Sequence, residues 1–218
     1  MTRLILIRHG ETNWNVERRK QGRNDQPLNE KGATQAKLAA EYVKANYEIG
    51  KVWSSPLQRC SNTAALFNVP VATSDHLLEI DYGDWEGMLI SDIESSLLRE
   101  GPREGRLQRE PSDESRARLT SIGHVDEADP PGGELRSNLP IRANAWIAES
   151  KIAEQGGDVV LVGHGGSMKG LITGVLGLPY EAMDVLTIDN CSVTVLDITP
   201  DPKTPNKLIT LNQTSHLT

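Results

Sequence analysis

Two stretches of this chain set a histidine where a ligand could reach it. In LIRHGETNWN, Arg8-His9-Gly10 closes a short β-rich apolar run, and in VVLVGHGGSM, His164-Gly165-Gly166 closes another. Open α/β sheets bind ligands at the carboxyl ends of their strands. Glycine lets a ligand come close to the backbone, and the free N–H groups of a helix start attract anions. Two histidines in the same strand–His–Gly setting can face one crevice. WSSPLQRCSNTA adds Arg59, one turn into an expected helix, and LLEIDYGDWEG adds Glu79, Asp81, Asp84 and Glu86 around Trp85. If that helix starts near the same edge, Arg59 points at the crevice too, and one carboxyl beside a phosphate pocket can serve as a general acid. Each residue also has a plain structural reading: a packed histidine, an exposed helix arginine, a solvated acidic turn. A metal site fares poorly, because the chain has no His-x-His, no HExxH and no paired cysteines.

The elements that must carry these residues follow from patterning. Thr2–Arg8 reads as the first strand, followed by a polar loop. Asn29 caps an expected helix from about Glu30 to Asn46, with Ala36, Ala40, Val43 and Tyr47 on its apolar face. Lys51–Ser54 and Val69–Ala72 read as strands. Between them, Ser55-Pro56 reads as N-cap and first turn of a helix to about Phe67. Asp158–Gly163 has the continuous apolar pattern of a strand buried on both faces. His164-Gly165-Gly166 reads as a turn and Ser167–Leu176 as the next helix. Ser192–Ile198 and Lys207–Asn212 are late strands separated by a proline-rich turn. The alternation predicts an α/β three-layer sandwich, with a mostly parallel central sheet flanked by helices. The stretch from about 87 to 133 departs from this pattern. Leu89–Leu98 reads as a helix, and the dense mixed charge after it marks a small charged cap insertion on a single domain spanning 1–218. Asn138-Leu139-Pro140 starts a further helix.

Composition narrows the classes. The chain has 218 residues, 23 Lys+Arg against 30 Asp+Glu, and a net charge of −7. That acidity argues against a nucleic-acid partner. No apolar run approaches the ~20 residues of a membrane span, and the N-terminus reads as a strand and not a signal peptide. With only Cys60 and Cys191, both read as structural, a cytoplasmic setting is the default. His76, His124 and His216 sit in loop-like or terminal positions that read as solvated.

The order of the motifs is more specific than any one of them. Arg8-His9-Gly10, GRNDQPLNEKGATQA at 22–36, SSPLQR at 54–59, LEIDYGDWEG at 78–87, the strand-His164-Gly165-Gly166 run, Asn190-Cys191-Ser192 and the ending NQTSHL together resemble the histidine phosphatase superfamily. These are the phosphoglycerate-mutase-like proteins, and the GDWEG form looks like their small-phosphatase branch. The resemblance implies that His9 is the nucleophile, forming a phosphohistidine. It makes Arg8 and Arg59 the phosphate-binding arginines and Glu79 the acid that protonates the leaving oxygen and then activates water. His164 is implied as a second pocket histidine donating to the phosphoryl group. Asn15, Gln21, Gly22 and the N–H of Gly165 complete the implied cradle, with no cofactor and no metal. The expected partner is a small phosphorylated metabolite; the expected assembly is a monomer or homodimer. Cofactor-dependent phosphoglycerate mutase is the alternative, and a weakly active phospho-ligand-binding or regulatory protein is a second. The chain departs from the family's pattern at Leu135, at Pro140 and in the charged run 99–118. The arginines Arg103, Arg106 and Arg109 of that run are candidates to bind an acidic or polyhydroxyl leaving group, against the plainer reading of a solvated loop.

Overall fold

A computed structural model describes residues 1–100 and 128–218 of the chain. Its first half runs β1 (Thr2–Arg8), α1 (Asn13–Val16), α2 (Glu30–Asn46), β2 (Ile49–Ser54), α3 (Gln58–Ala65), β3 (Val71–Thr73) and α4 (Ile90–Glu100). After the break come α5 (Asn138–Ser150), α6 (Ile152–Gln155), β4 (Gly157–Gly163), α7 (Gly165–Leu176), β5 (Val193–Ile198) and β6 (Lys207–Gln213). The six strands form one sheet in the order β3-β2-β4-β1-β5-β6. The pairs β3/β2, β2/β4 and β4/β1 are parallel, and β5 and β6 extend the sheet in antiparallel fashion.

Alternation along β1 builds the two cores. Leu4 and Leu6 point to one face and pack with Leu161, Trp146, Met168 and Leu171 of β4, α5 and α7. Ile5 and Ile7 point to the other and pack with Ala36, Ala40, Val43 and Cys60 of α2 and α3. The expected helix-sheet-helix sandwich is therefore present. Asn29 caps α2, its side chain accepting from the Gly32 N–H at 2.7 Å. Among the described residues, no helix is long and apolar enough to cross a membrane.

Several local expectations are corrected. α3 begins at Gln58, with Leu57 as its N-cap. Ser55 instead prolongs the sheet, its N–H donating to Val162 O at 3.0 Å, and its hydroxyl is taken by His164. α7 begins at Gly165 with His164 as N-cap, so the expected turn is already helix. The polar loop after β1 contains α1, closed by a reciprocal cap between Thr12 and Asn15. His216 is packed and not solvated: it stacks on Tyr42, and its Nε2 lies 3.0 Å from Cys191 O. His124, most of the charged cap insertion and Arg103, Arg106 and Arg109 lie outside the described residues.

Parallel register then builds the site. Arg8 of β1 is paired with Gly163 of β4, so His9 and His164 leave the same sheet edge side by side. The chain leaves β1 toward α2 on one face of the sheet and leaves β4 toward α7 on the other. This divergence opens a crevice at the carboxyl ends of the two strands.

Candidate active site

The crevice is a cavity of about 450 Å³. Its walls include Arg8, His9, Asn15, Gln21, Gly22, Arg59, Glu79 and Gly165. These are eight of the nine residues singled out from the sequence, drawn from β1, α1, α3, α7 and the loops between them.

His9 is 3% exposed, and its Nδ1 lies 2.7 Å from Gly10 O. A carbonyl only accepts, so Nδ1 carries the proton and Nε2 holds the lone pair. Burial, then the Arg59 and Arg8 guanidinium groups, pushes the ring well below its ordinary value of 6.5. His9 is thus a neutral imidazole of fixed tautomer with a nucleophilic nitrogen.

Arg59 is fully buried at the start of α3. Its Nη2 donates to Gly22 O at 2.7 Å and its Nη1 to Asn24 O at 2.7 Å, while Nε donates to His164 Nδ1 at 3.2 Å. Three bonds from one planar group fix its pose. Gly22 serves this clamp through a positive φ of 54°, and a Cβ there would overlap the Glu86 carboxyl. Arg8 donates from Nη1 to Ile188 O at 2.6 Å.

His164 stands behind this group, fully buried, its ring centroid 5.2 Å from that of His9. A guanidinium only donates, so Nδ1 is the unprotonated nitrogen, and Nε2–H donates to Ser55 Oγ at 2.8 Å. Both nitrogens are engaged within the protein. A donor role toward a phosphoryl group would require Ser55 or Arg59 to release the ring. Burial, then Arg59 and His9, pushes His164 well below 6.5 as well.

Glu79 is 8% exposed and caps α7. Its Oε1 accepts from Ile80 N–H at 3.0 Å and Ser167 N–H at 2.9 Å, and its Oε2 accepts from Gly166 N–H at 3.1 Å. A Cβ at Gly166 would stand 2.6 Å from Glu79 Oε1, so any larger residue there would displace the carboxylate. With Oε1 doubly bonded, Oε2 is the oxygen with room for a proton. Asn15 Oδ1 accepts from the Thr12 N–H at 3.1 Å and from Asn190 Nδ2 at 3.3 Å. A backbone donor settles which end of that amide is the oxygen, and the amide's NH₂ is left for the cavity. Gln21 Oε1 accepts from Thr12 Oγ1 at 3.0 Å.

The structure adds wall residues that the motifs did not indicate: Arg19, Lys20, Arg136 and Lys169. Lys169 had a signal, since it follows Gly165 by one helical turn and shares its face. Arg136 and Lys20 are brought in by loops and had none. Among the described residues, no group of three or more His, Cys, Asp or Glu is arranged to hold a metal ion.

The two buried rings make stability depend on pH. Between their depressed folded values and 6.5, the unfolded chain binds protons that the folded chain does not. Stability is therefore complete above about pH 6.5 and declines as pH falls below it, by about 1.4 kcal/mol per pH unit for each ring. Urea unfolding from pH 7.5 to 5 should show this slope, reduced by about half in His9→Ala.

The chain as a whole is similar to known proteins. The family model of the histidine phosphatase superfamily (branch 1) matches residues 4–210. Phosphoserine phosphatase 1 of Hydrogenobacter thermophilus is 29% identical over 221 residues, 100% of this chain and 95% of that protein. A probable phosphoglycerate mutase, GpmB, of an Enterobacter species is 30% identical over 206 residues, 93% of this chain and 87% of its own. A solved mycobacterial glucosyl-3-phosphoglycerate phosphatase complexed with VO3 superposes with a TM-score of 0.76 at 29% identity, covering 97% of this chain and 99% of its own. With a family model spanning nearly the whole chain and a crevice that gathers its motifs, this chain belongs to the histidine phosphatase superfamily.

Proposed function

We propose that the chain hydrolyses a small phosphomonoester through a phosphohistidine on His9. The observation that carries this reading is the buried, neutral His9, its Nδ1 proton committed to Gly10 O and its ring within the electrostatic reach of Arg59 and Arg8. In the first step the Nε2 lone pair attacks phosphorus and the ester P–O bond breaks. Glu79, in its acid form, gives its proton to the departing alkoxide. In the second step water attacks the phosphohistidine, its proton passes to Glu79, and the P–N bond breaks to release inorganic phosphate. Arg8 and Arg59 neutralise the oxygens in both steps, with the donor end of Asn15 and the Gly165 N–H beside them. The charge that Mg²⁺ supplies in many phosphoryl transfers comes here from guanidinium groups, so the reaction is expected to proceed in excess EDTA.

The mutase reading is favoured by the probable phosphoglycerate mutase among the relatives. One assay separates the two: phosphate release from a panel of phosphomonoesters in EDTA, with interconversion of 2- and 3-phosphoglycerate followed in parallel. Release supports the hydrolase; interconversion without release supports the mutase; neither, with phospho-ligands still bound, supports a binding protein.

The acid role of Glu79 gives a separate expectation. Glu79→Gln should lower kcat about 10²- to 10³-fold on alkyl phosphates, whose leaving groups need a proton. On p-nitrophenyl phosphate, whose leaving group needs none, the first step should be nearly unaffected. Equal losses on both in single-turnover experiments would assign Glu79 a purely structural role at the start of α7.

A further inference from the structure

The mechanism uses the acidic run LEIDYGDWEG only at Glu79. Glu86, in the second half of that run, also has a fixed partner: its Oε1 accepts the backbone N–H of Arg23 at 2.6 Å. That N–H belongs to the same peptide unit as the Gly22 carbonyl, which accepts from Arg59 Nη2 at 2.7 Å. One peptide is therefore gripped on two sides, its carbonyl by Arg59 and its N–H by Glu86. The Arg23 guanidinium reaches other carboxylates, Asp81 Oδ2 at 3.4 Å and Glu134 Oε2 at 3.6 Å, so Glu86 serves the main chain there. The peptide needs such a grip. Residue 22 is a glycine with φ of 54°, where no Cβ limits rotation of the plane. Turned over, the peptide would aim its N–H at Arg59 Nη2, donor against donor. A charge-assisted bond to the outer N–H favours the observed orientation. Glu86 is itself firmly mounted. Its backbone N–H closes the short 3-10 turn Gly83–Trp85, donating to Gly83 O at 3.1 Å. Trp85 is buried and packs against Ile93. On the other side the Gly87 N–H donates to Lys20 O at 2.8 Å, and the Lys20 N–H to Met88 O at 3.0 Å. These bonds lace the GDWEG turn to the loop that clamps Arg59.

We propose that Glu86 is a positioning residue for Arg59. It holds the Gly22–Arg23 peptide in the orientation that presents the Gly22 carbonyl to the guanidinium, and so keeps that guanidinium aimed at the phosphoryl group. Glu86 is not among the residues that line the cavity, so its effect on the reaction passes through Arg59. This rests on the phosphatase reading for its rates, though not for phosphate binding.

The test is a double-mutant cycle between Glu86 and Arg59, with rates taken per folded molecule. Glu86→Ala is expected to lower kcat/KM about 10- to 30-fold in the unsubstituted protein. In Arg59→Ala the same change should cost less than about twofold, because the group it positions is gone. Two conservative variants separate the bond from the charge. Glu86→Gln keeps an oxygen at the same reach and should stay within about threefold of the unsubstituted rate. Glu86→Asp keeps the charge but draws the acceptor back by one methylene, and should show most of the alanine loss. These two also decide the matter if Glu86→Ala fails to fold. The affinity for inorganic phosphate, measured by calorimetry on the same proteins, should follow the same pattern with a loss of about 5- to 10-fold. An equal loss in both backgrounds, no loss in Glu86→Ala, or a normal Glu86→Asp beside an impaired Glu86→Gln would overturn the assignment and leave the hydrolase standing. No turnover of any phosphomonoester by the unsubstituted protein would reject the hydrolase, and the phosphate affinities alone would then decide the role of Glu86. No phosphate binding by the unsubstituted protein would overturn both.

Discussion

His9→Ala is expected to lower phosphate release by roughly 10⁴-fold or more while the protein stays folded. The size of the loss follows from the absence of a substitute among the described residues. His164 has both nitrogens engaged, by Arg59 and by Ser55. Cys60 lies 3.4 Å from His164 Nε2, but burial pushes its thiol far above the range in which it would ionise. The fold should tolerate the change, because the residue's link to the sheet is its backbone N–H, which donates to Gly163 O at 2.9 Å. Steady-state rates on any good substrate, read beside a thermal melt, check both halves. A variant that melts normally and keeps a tenth of the activity would remove His9 from the centre of the reaction.

Arg59→Ala should have the second largest effect, a loss of about 10²- to 10³-fold in kcat. It should also lower stability, by about 2–4 kcal/mol. The catalytic loss comes from removing charge beside the attacked phosphorus. The stability loss comes from the clamp: Gly22 O and His164 Nδ1 lose their donor in a buried place, and Asn24 O loses its donor in a part-buried one. Arg59→Lys keeps the charge but cannot reach three acceptors with one ammonium, so it should recover less than about tenfold of the loss. The histidines supply a further readout. Arg59 is the second cause, after burial, of the depressed values of both His9 and His164. Without it their folded values rise toward 6.5, so the acid-side loss of stability should span a narrower pH range. Full rescue by lysine, or an unchanged pH profile, would contradict the clamp.

Much of this site was legible because its residues sit in strand-end motifs. Thr2–Arg8 and Asp158–Gly163 announced themselves as buried strands, and the residue after each is a histidine. Asn29 marked the start of α2 to the residue. What was not legible depends on contacts made far along the chain. Ser55-Pro56 has the form of a helix cap, yet the hydroxyl of Ser55 is claimed by His164, more than a hundred residues later. The reciprocal cap of Thr12 and Asn15 makes a four-residue helix too short for any periodicity. Arg136 and Lys20 reach the cavity through loops, where spacing carries no directional information. Glu79 stood out among four acidic residues only through the resemblance to a family. The structure gives the reason that it differs from Asp81, Asp84 and Glu86: it alone of the four accepts the first N–H groups of α7.

The central claim is the phosphohistidine, and the most direct measurement is to trap it. The protein is mixed with a turned-over phosphomonoester, quenched into base within milliseconds, digested and sequenced by mass spectrometry. The account predicts one phosphoryl group on the peptide that contains His9, attached at Nε2, formed before phosphate is released and absent in His9→Ala. A phosphoryl group on any other residue, or phosphate released at full rate with no phosphoenzyme at any time, would contradict it.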